Sequence, residues 1–140
     1  MLYLIYQANH PDLAYKGGQG PIVHLEADLH ATLEWAESSN KRWAFTLSNA
    51  GSTYFEDRCD LAKLNEIDWP SVQATRWAGR GISPEVQEGK QAEFLVEHSF
   101  PWTLVERVGV NSDAVGRLVD QALEGVEHRP VIEIRKDWYY

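Results

Sequence analysis

Short runs of apolar and β-branched residues, separated by glycine, proline and charged residues, recur along the chain. One such run follows Pro21, and another ends at the turn-forming residues Ser48 to Gly51. Runs of this kind, bounded by residues that favour turns, are typical of short β-strands. The pattern predicts strands at residues 22–25, 43–47, 91–96, 104–110 and 131–135.

Apolar residues at helical spacing predict two amphipathic helices. Asp28 is a candidate N-cap for the first helix, which we expect to end near Ser38. Ser112 is a candidate N-cap for the second helix, and Gly125 follows that helix as its terminating residue. The predicted apolar faces consist of Leu29, Thr32, Leu33 and Ala36 in the first helix, and of Val115, Leu118, Val119 and Ala122 in the second.

The remaining segments are shorter or less regular. A helical turn is predicted at residues 60–65, and Asp68 before Trp69-Pro70 predicts the start of a short helix. Residues 1–7 form an apolar run that is too short for periodicity to distinguish a strand from a helical turn. Residues 75–90 have the composition of a long irregular loop, and such loops inside compact domains are usually functional or disordered.

The order of these elements predicts the fold class. Helices and strands mix without a strict βαβ rhythm, and late strands follow one another directly. This order favours an α+β fold, with mixed or antiparallel sheets flanked by short helices, over a doubly wound parallel sheet. The length of 140 residues fits a single domain.

The composition narrows the classes of function. A formal net charge of −8 argues against a protein that binds duplex DNA, because neutralising phosphates requires a basic surface. It leaves room for an enzyme that handles a few nucleotides locally. Cys59 is the single cysteine, which excludes an internal disulfide and favours a reducing cytoplasm. The longest apolar run is far too short to span a bilayer, so we expect no membrane segment.

Common metal and nucleotide motifs are absent from the sequence. The histidines do not form a His-x-x-x-His pair, and there is no Cys-x-x-Cys, so no metal site is predicted. The turn from Gly17 to Gly20 lacks the Lys-Ser/Thr of a phosphate-binding loop and precedes a predicted strand. It is interpreted as a tight turn.

Glu93 is the strongest candidate for chemistry. Strand alternation predicts that Gln91, Glu93 and Leu95 share one face. With apolar residues on both sides, a carboxylate there is costly unless it is partnered or used. The sequence alone leaves open a surface glutamate paired with a lysine or arginine. The predicted long loop before it supplies candidate binding residues, namely Arg76, Trp77, Arg80 and Lys90.

The Gln91-Ala92-Glu93 tripeptide behind a long loop resembles the Q/E-x-E signature of ADP-ribosyltransferases. The chain resembles one branch in particular, the DarT toxins, which attach ADP-ribose from NAD to thymidine in single-stranded DNA. The resemblance extends over nearly the whole chain. The segments that carry it are residues 1–5, 17–19, 21–23, 42–43, 49–50, 64, 67–69, 90–96 and 138–139.

The resemblance implies a role for each candidate residue. NAD is the implied co-substrate, and Glu93 is the implied catalytic carboxylate. Gln91 is implied to contact the acceptor; as a neutral amide it is consistent with a nucleobase, whereas the family uses glutamate there mainly for arginine acceptors. The other implied acceptor-binding residues are Trp77, as a base-stacking surface, and Arg76, Arg80 and Lys90, as phosphate contacts.

On the cofactor side, Ser48 and Asn49 are the candidates, although the segment 46–49 lacks an acidic residue expected there. The implied partners are single-stranded DNA and a macrodomain antitoxin that removes the modification.

The resemblance also implies that part of the family's domain precedes the segment matching Met1. That part is expected to carry the histidine and arginine that grip NAD. We therefore expect an N-terminally truncated domain, a gene start assigned too late, or a degenerate copy. Two other functions stay open, namely a catalytically inactive module that binds nucleic acid or protein, and a transferase that acts on RNA or protein.

Overall fold

The computed structural model describes Ile5 and residues 13–139. Apart from Ile5, the prediction for residues 1–7 lies outside the described residues, as does Tyr140. In chain order the strands and α-helices are β1 (His24–Ala27), α1 (Leu29–Ser38), β2 (Trp43–Thr46), β3 (Asp57–Arg58), α2 (Trp69–Gln73), α3 (Pro84–Gly89), β4 (Phe94–Val96), β5 (Val105–Val110), α4 (Asp113–Ala122) and β6 (Val131–Ile134). Short 3-10 helices occupy Leu61–Glu66, Trp102–Leu104 and Lys136–Trp138.

The chain forms two compact units. The first contains residues up to Thr32 together with those from Phe100 onwards, and the second contains Leu33–Ser99. Each unit has its own three-stranded sheet, with strand orders β1-β5-β6 and β3-β2-β4. The mixture of helices with antiparallel and parallel strand pairs confirms the predicted α+β class.

The sheet of the first unit is mixed. β1 pairs with β5 in antiparallel orientation, with His24 opposite Gly109. β6 pairs with β5 in parallel orientation, with Arg107 opposite Val131, and α4 makes the crossover between them. Arg107 forms ion pairs with Glu26 on β1 and Glu133 on β6, at 2.9 Å each, so one side chain links all three strands.

The core of the first unit lies between this sheet and α4. Val105, Val108 and Val110 are buried, and four half-buried side chains pack against them. Helix α4 begins as predicted, because Ser112 accepts a hydrogen bond from the Val115 amide. The predicted apolar face is only partly correct, because Val115 and Val119 pack on the core but Leu118 is 65% exposed. The four packing residues are Trp102, Val115, Val119 and Ile132.

The end of the chain packs back onto β5. A Cβ atom placed on Gly109 would lie 2.4 Å from the Trp138 ring, so only glycine allows the indole to lie this close to the strand. His24 contacts both Trp138 and Tyr139 edge to face. The Tyr139 hydroxyl donates to the Ile22 carbonyl at 2.6 Å. Burial lowers the pKa of His24 and raises that of Tyr139.

The sheet of the second unit is antiparallel. β2 is its central strand, with Phe45 opposite both Arg58 on β3 and Phe94 on β4. Phe45 and Thr46 are buried. Arg42, just before β2, donates to the Glu97 carboxylate from both its guanidinium and its backbone amide, and these bonds lower the pKa of Glu97 to about 2.

Most of the predicted elements are confirmed, but two strand starts are wrong and one helix was not predicted. The first strand begins two residues later than predicted, because Ile22 still closes a turn by donating to the Gln19 carbonyl. The predicted strand 91–96 starts only at Phe94. The predicted loop 75–90 contains helix α3, whose N-cap Ser83 accepts from the Val86 amide and whose first residue is Pro84. Within the described part of the chain, no helix is long and apolar enough to cross a membrane.

Candidate active site

Glu93 lies immediately before β4, and two hydrogen bonds hold its backbone to the end of β2. Its carbonyl accepts from the Thr46 amide at 2.8 Å. Its amide donates to the Thr46 hydroxyl at 2.9 Å. The backbone of Glu93 is therefore fixed, while its side chain is exposed.

This geometry corrects the reason for which the sequence singled out Glu93. Glu93 and Gln91 precede the strand, so strand alternation does not place them on one face. Glu93 is exposed, so its carboxylate does not carry the desolvation cost expected of a buried one. Among the residues that the structure describes, its carboxylate forms no ion pair, in contrast to the paired surface glutamate that the sequence left open.

Gln91 is held by a chain of hydrogen bonds that also fixes Asn49. The Gly51 amide donates to Asn49 Oδ1 at 2.8 Å, and Asn49 Nδ2 donates to Gln91 Oε1 at 3.1 Å. Gln91 Nε2 then donates to the Gln87 carbonyl at 2.9 Å. Because the chain starts at a backbone donor and ends at a backbone acceptor, it determines which way both side-chain amides point. One N–H and one lone pair of the Gln91 amide remain for a ligand.

The two candidates for the cofactor side lie in the turn that follows β2. The Ser48 carbonyl accepts the Thr46 hydroxyl proton at 2.6 Å. Asn49 contacts Gln91, as described above. The structure therefore brings Ser48 and Asn49 together with Gln91 and Glu93 through direct hydrogen bonds and through Thr46.

The basic and aromatic candidates belong to the segment before Gln91. Arg76 donates to the Arg80 carbonyl at 3.2 Å, which braces the turn between them, and Arg80 is exposed. Trp77 is half-buried. Lys90 directs its amine to the Val72 carbonyl of α2 at 2.6 Å, and burial lowers its pKa. Lys90 thus joins α2 to the end of α3 and is not a freely extended cation.

Sequence reasoning missed Thr46 and Gln87, both of which bond directly to the two candidate residues. It also missed Tyr54 and Phe55 in the β2–β3 connection, whose side chains are 91% and 44% exposed. Tyr54 and Phe55 are recognisable in the sequence as two adjacent aromatic residues in a polar connection. Thr46 is not recognisable in this way, because its contact with Glu93 joins residues 47 positions apart.

The described residues contain no group of three or more histidine, cysteine, aspartate or glutamate side chains that could hold a metal ion. The site presents the exposed carboxylate of Glu93, on a fixed backbone, and the oriented neutral amide of Gln91.

Comparison with known proteins defines the class to which this fold and site belong. The family model described as "ssDNA thymidine ADP-ribosyltransferase, DarT" matches residues 1–140. The chain belongs to the DarT family, as its sequence resemblance predicted.

Curated relatives agree with this assignment. A DNA ADP-ribosyl transferase of Thermus sp. (strain 2.9) is 38% identical over 142 residues, covering 100% of this chain and 63% of the relative. One from Thermus aquaticus is 33% identical over 139 residues, covering 98% of this chain and 58% of the relative. The chain thus spans about three-fifths of the length of these relatives.

Solved structures confirm the ADP-ribosyltransferase-like fold. Thermus sp. 2.9 DarT in complex with ADP-ribosylated ssDNA matches with a TM-score of 0.86 at 37% identity, over 99% of this chain and 63% of that one. The same protein in complex with NAD+ matches with a TM-score of 0.86 at 38% identity, over 99% and 66%.

Proposed function

We propose that this chain supplies the catalytic glutamate and the acceptor side of an NAD-dependent ADP-ribosyltransferase that modifies thymidine in single-stranded DNA. The observation that carries the proposal is the geometry around Glu93, a solvent-accessible carboxylate on a backbone fixed at both its amide and its carbonyl. Membership of the DarT family supports the choice of reaction. The relatives of known structure bind NAD+ and ADP-ribosylated ssDNA, which supports the choice of substrates.

The reaction places a specific demand on the protein. Breaking the bond between nicotinamide and ribose leaves positive charge on the sugar, as glycoside cleavage does. A carboxylate held in advance stabilises that charge without having to reorganise during the reaction. We assign this role to Glu93, whose carboxylate also accepts a hydrogen bond from a ribose hydroxyl. Nicotinamide departs with the bonding electron pair, and the acceptor forms the new bond to the ribose and releases its proton.

Gln91 is assigned to the acceptor. Its Oε1 and Nε2 atoms are oriented by Asn49 and by the Gln87 carbonyl, and each keeps one free hydrogen-bonding position. A base edge carries both donors and acceptors, so an oriented neutral amide suits it better than a carboxylate does. The base must be unpaired to reach such a site, which favours a single-stranded substrate.

The strand itself requires stacking surfaces and cations. We assign Trp77 and the exposed Tyr54 to base stacking, and Arg76 and Arg80 to phosphate contacts. The amine of Lys90 is already bonded to the Val72 carbonyl, so we assign Lys90 to acceptor binding through the position of the segment that it holds and not through a direct phosphate contact. On the cofactor side we retain Ser48 and Asn49, with Asn49 acting through its contact with Gln91.

The decisive experiment measures transfer from labelled NAD to thymidine-containing single-stranded oligonucleotides. It uses the chain itself and, in parallel, any in-frame upstream extension that its gene encodes. We expect labelling of thymidine oligonucleotides, with none for thymidine-free or duplex DNA. Glu93→Gln should abolish the labelling, whereas Glu88→Gln, which changes an exposed glutamate of α3, should preserve it.

Other outcomes would reassign the chain. Transfer to RNA or protein in place of DNA would keep the reaction and change the acceptor. Absence of transfer, together with absence of NAD binding by calorimetry, would identify a catalytically inactive binding module. Labelling that survives Glu93→Gln would contradict the role of Glu93.

The biological setting is part of the same proposal. A bulky ADP-ribose group on a base would block the use of that DNA as a template, which supports a toxin role and a partner that removes the group. We propose a macrodomain antitoxin as that partner and the cytoplasm, where DNA and NAD meet, as the location. The exposed thiol of Cys59 is consistent with a reducing compartment. Co-expression of a macrodomain hydrolase should restore growth that the active protein inhibits and remove the label from modified oligonucleotides.

A further inference from the structure

We propose that Thr46 is the positioning residue for Glu93, and that its side-chain hydroxyl sets the direction in which the Glu93 carboxylate leaves the backbone. This inference rests on the proposed function of Glu93.

Thr46 is fully buried, and its hydroxyl contacts three backbone groups, one of which is the Glu93 carbonyl at 3.4 Å. The Glu93 amide lies 2.9 Å from Thr46 Oγ1, and the Ser48 carbonyl lies 2.6 Å from it. An amide can only donate and a carbonyl can only accept. The hydroxyl proton therefore points to the Ser48 carbonyl, which is nearer than the Glu93 carbonyl at 3.4 Å, and an oxygen lone pair faces the Glu93 amide.

This side-chain hydrogen bond takes the place of a backbone hydrogen bond between β2 and the residue before β4. Phe45 pairs with Phe94, and the Thr46 amide still donates to the Glu93 carbonyl at 2.8 Å. Beyond that point the chain turns away after β2, because the Ser52 amide donates to the Asn49 carbonyl. The Glu93 amide donates to the Thr46 hydroxyl, where a regular antiparallel pair would offer it a backbone carbonyl of β2.

A side-chain hydroxyl is well suited to this position because threonine is stiff. The branched Cβ restricts χ1, so the oxygen is held in one orientation with little entropy left to lose. Serine keeps the hydroxyl but relaxes this restriction. Valine keeps the shape but leaves both the Glu93 amide and the Ser48 carbonyl without the hydroxyl as partner. Buried polar groups left without a hydrogen bond reduce the free energy of unfolding.

The first arm of the test does not depend on catalysis. Amide hydrogen exchange of Glu93 is measured in the wild-type chain, Thr46→Val and Thr46→Ser. Thr32→Val is the matched control, because Thr32 is also buried and its hydroxyl donates to the Asp28 carbonyl at 2.7 Å. We expect exchange at Glu93 to become about tenfold faster in Thr46→Val and to stay within about threefold in Thr46→Ser and Thr32→Val.

The second arm measures kcat and KM in the form of the protein that labels DNA. Thr46→Val should lower kcat about 10- to 100-fold with a smaller change in KM for NAD, because misplacement of a catalytic group acts on the transition state. Thr46→Ser should restore most of kcat. Activities are compared at temperatures where each variant is folded, so that an unfolded fraction does not contribute.

The proposal is overturned if Glu93 exchange in Thr46→Val matches that in Thr32→Val, or if Thr46→Ser is as impaired as Thr46→Val. Failure of the proposed function gives a different result. In that case transfer is absent altogether or survives Glu93→Gln, while the exchange arm still reports whether Thr46 holds the Glu93 backbone.

Discussion

Replacing Gly109 with alanine tests how the end of the chain is packed onto the first unit. A Cβ atom at this position would lie 2.4 Å from Trp138 Cζ3 and 2.5 Å from Cε3. Carbon atoms in contact prefer about 3.5–4.0 Å, so the indole must recede by about 1 Å or more. Such a movement disturbs the edge contact of Trp138 with His24, at 5.7 Å between centroids, and the stacking of Arg135 over the ring at 4.3 Å.

We expect Gly109→Ala to reduce the free energy of unfolding by about 1–3 kcal/mol, the usual cost of forcing extra atoms into a packed site. For a chain of this length, each kcal/mol corresponds to a decrease in Tm of about 3–5 °C. Denaturant titration and thermal melting followed by circular dichroism both measure it. Gly20→Ala is the matched control, because a Cβ at Gly20 meets nothing within 4 Å; its effect should be within about 0.5 kcal/mol.

A double-mutant cycle isolates the contact responsible. In a Trp138→Ala background the added methyl group has no ring to meet, so Gly109→Ala should cost close to nothing there. An equal cost of Gly109→Ala in both backgrounds would refute the packing explanation and assign the loss to the strand itself.

Three further predictions concern charge and hydrogen bonding. Burial lowers the pKa of His24 in the folded protein, so the free energy of unfolding present above pH 6.5 should fall as the pH drops towards the pKa of the folded state. Denaturant titrations between pH 5 and 8 should show this decline in the wild-type chain and lack it in His24→Phe. Because hydrogen bonds from Arg42 lower the pKa of Glu97 to about 2, the stability it contributes above pH 4.5 should fall as the pH approaches 2, and acid titration of Glu97→Gln should lack that component. Asn49→Leu should release the Gln91 amide, which NMR would detect as a shift of the Gln91 side-chain resonances. Denaturant titration should show a loss of about 1 kcal/mol in the free energy of unfolding. Unchanged resonances would contradict the hydrogen-bond chain.

Local signals in the sequence predicted the helices that carry their own caps. Asp28 and Ser112 were identified as N-caps, and both accept the expected backbone hydrogen bond three residues on. Helix α3 carries an equivalent signal in Ser83, Pro84 and Glu85, yet the composition of the whole segment favours a loop. The glycines around it dominated that interpretation, and two of them, Gly79 and Gly81, do adopt positive φ before the helix starts.

The candidate site was predictable in its residues but not in its geometry. The Gln91-x-Glu93 pair stands out in the sequence, whereas the partners that orient it come from positions 42 and 47 residues away. Such contacts depend on how β2 and β4 pair, and no local pattern encodes them.

The pairing of Thr46 with Glu93 also has a consequence for how this region can vary in length. The chain leaves the sheet after Arg58 on β3 and returns to it at Glu93, and β2 holds both ends of this excursion because it pairs with β3 and with β4. The entropy of closing such an excursion grows only logarithmically, by about 0.6 kcal/mol for each doubling of a flexible loop. Length changes in the connection between α2 and α3, at residues 75–82, therefore change the closure cost little and leave the hydrogen bonds between Thr46 and Glu93 intact. This connection can therefore vary in length while the backbone of Glu93 stays in place.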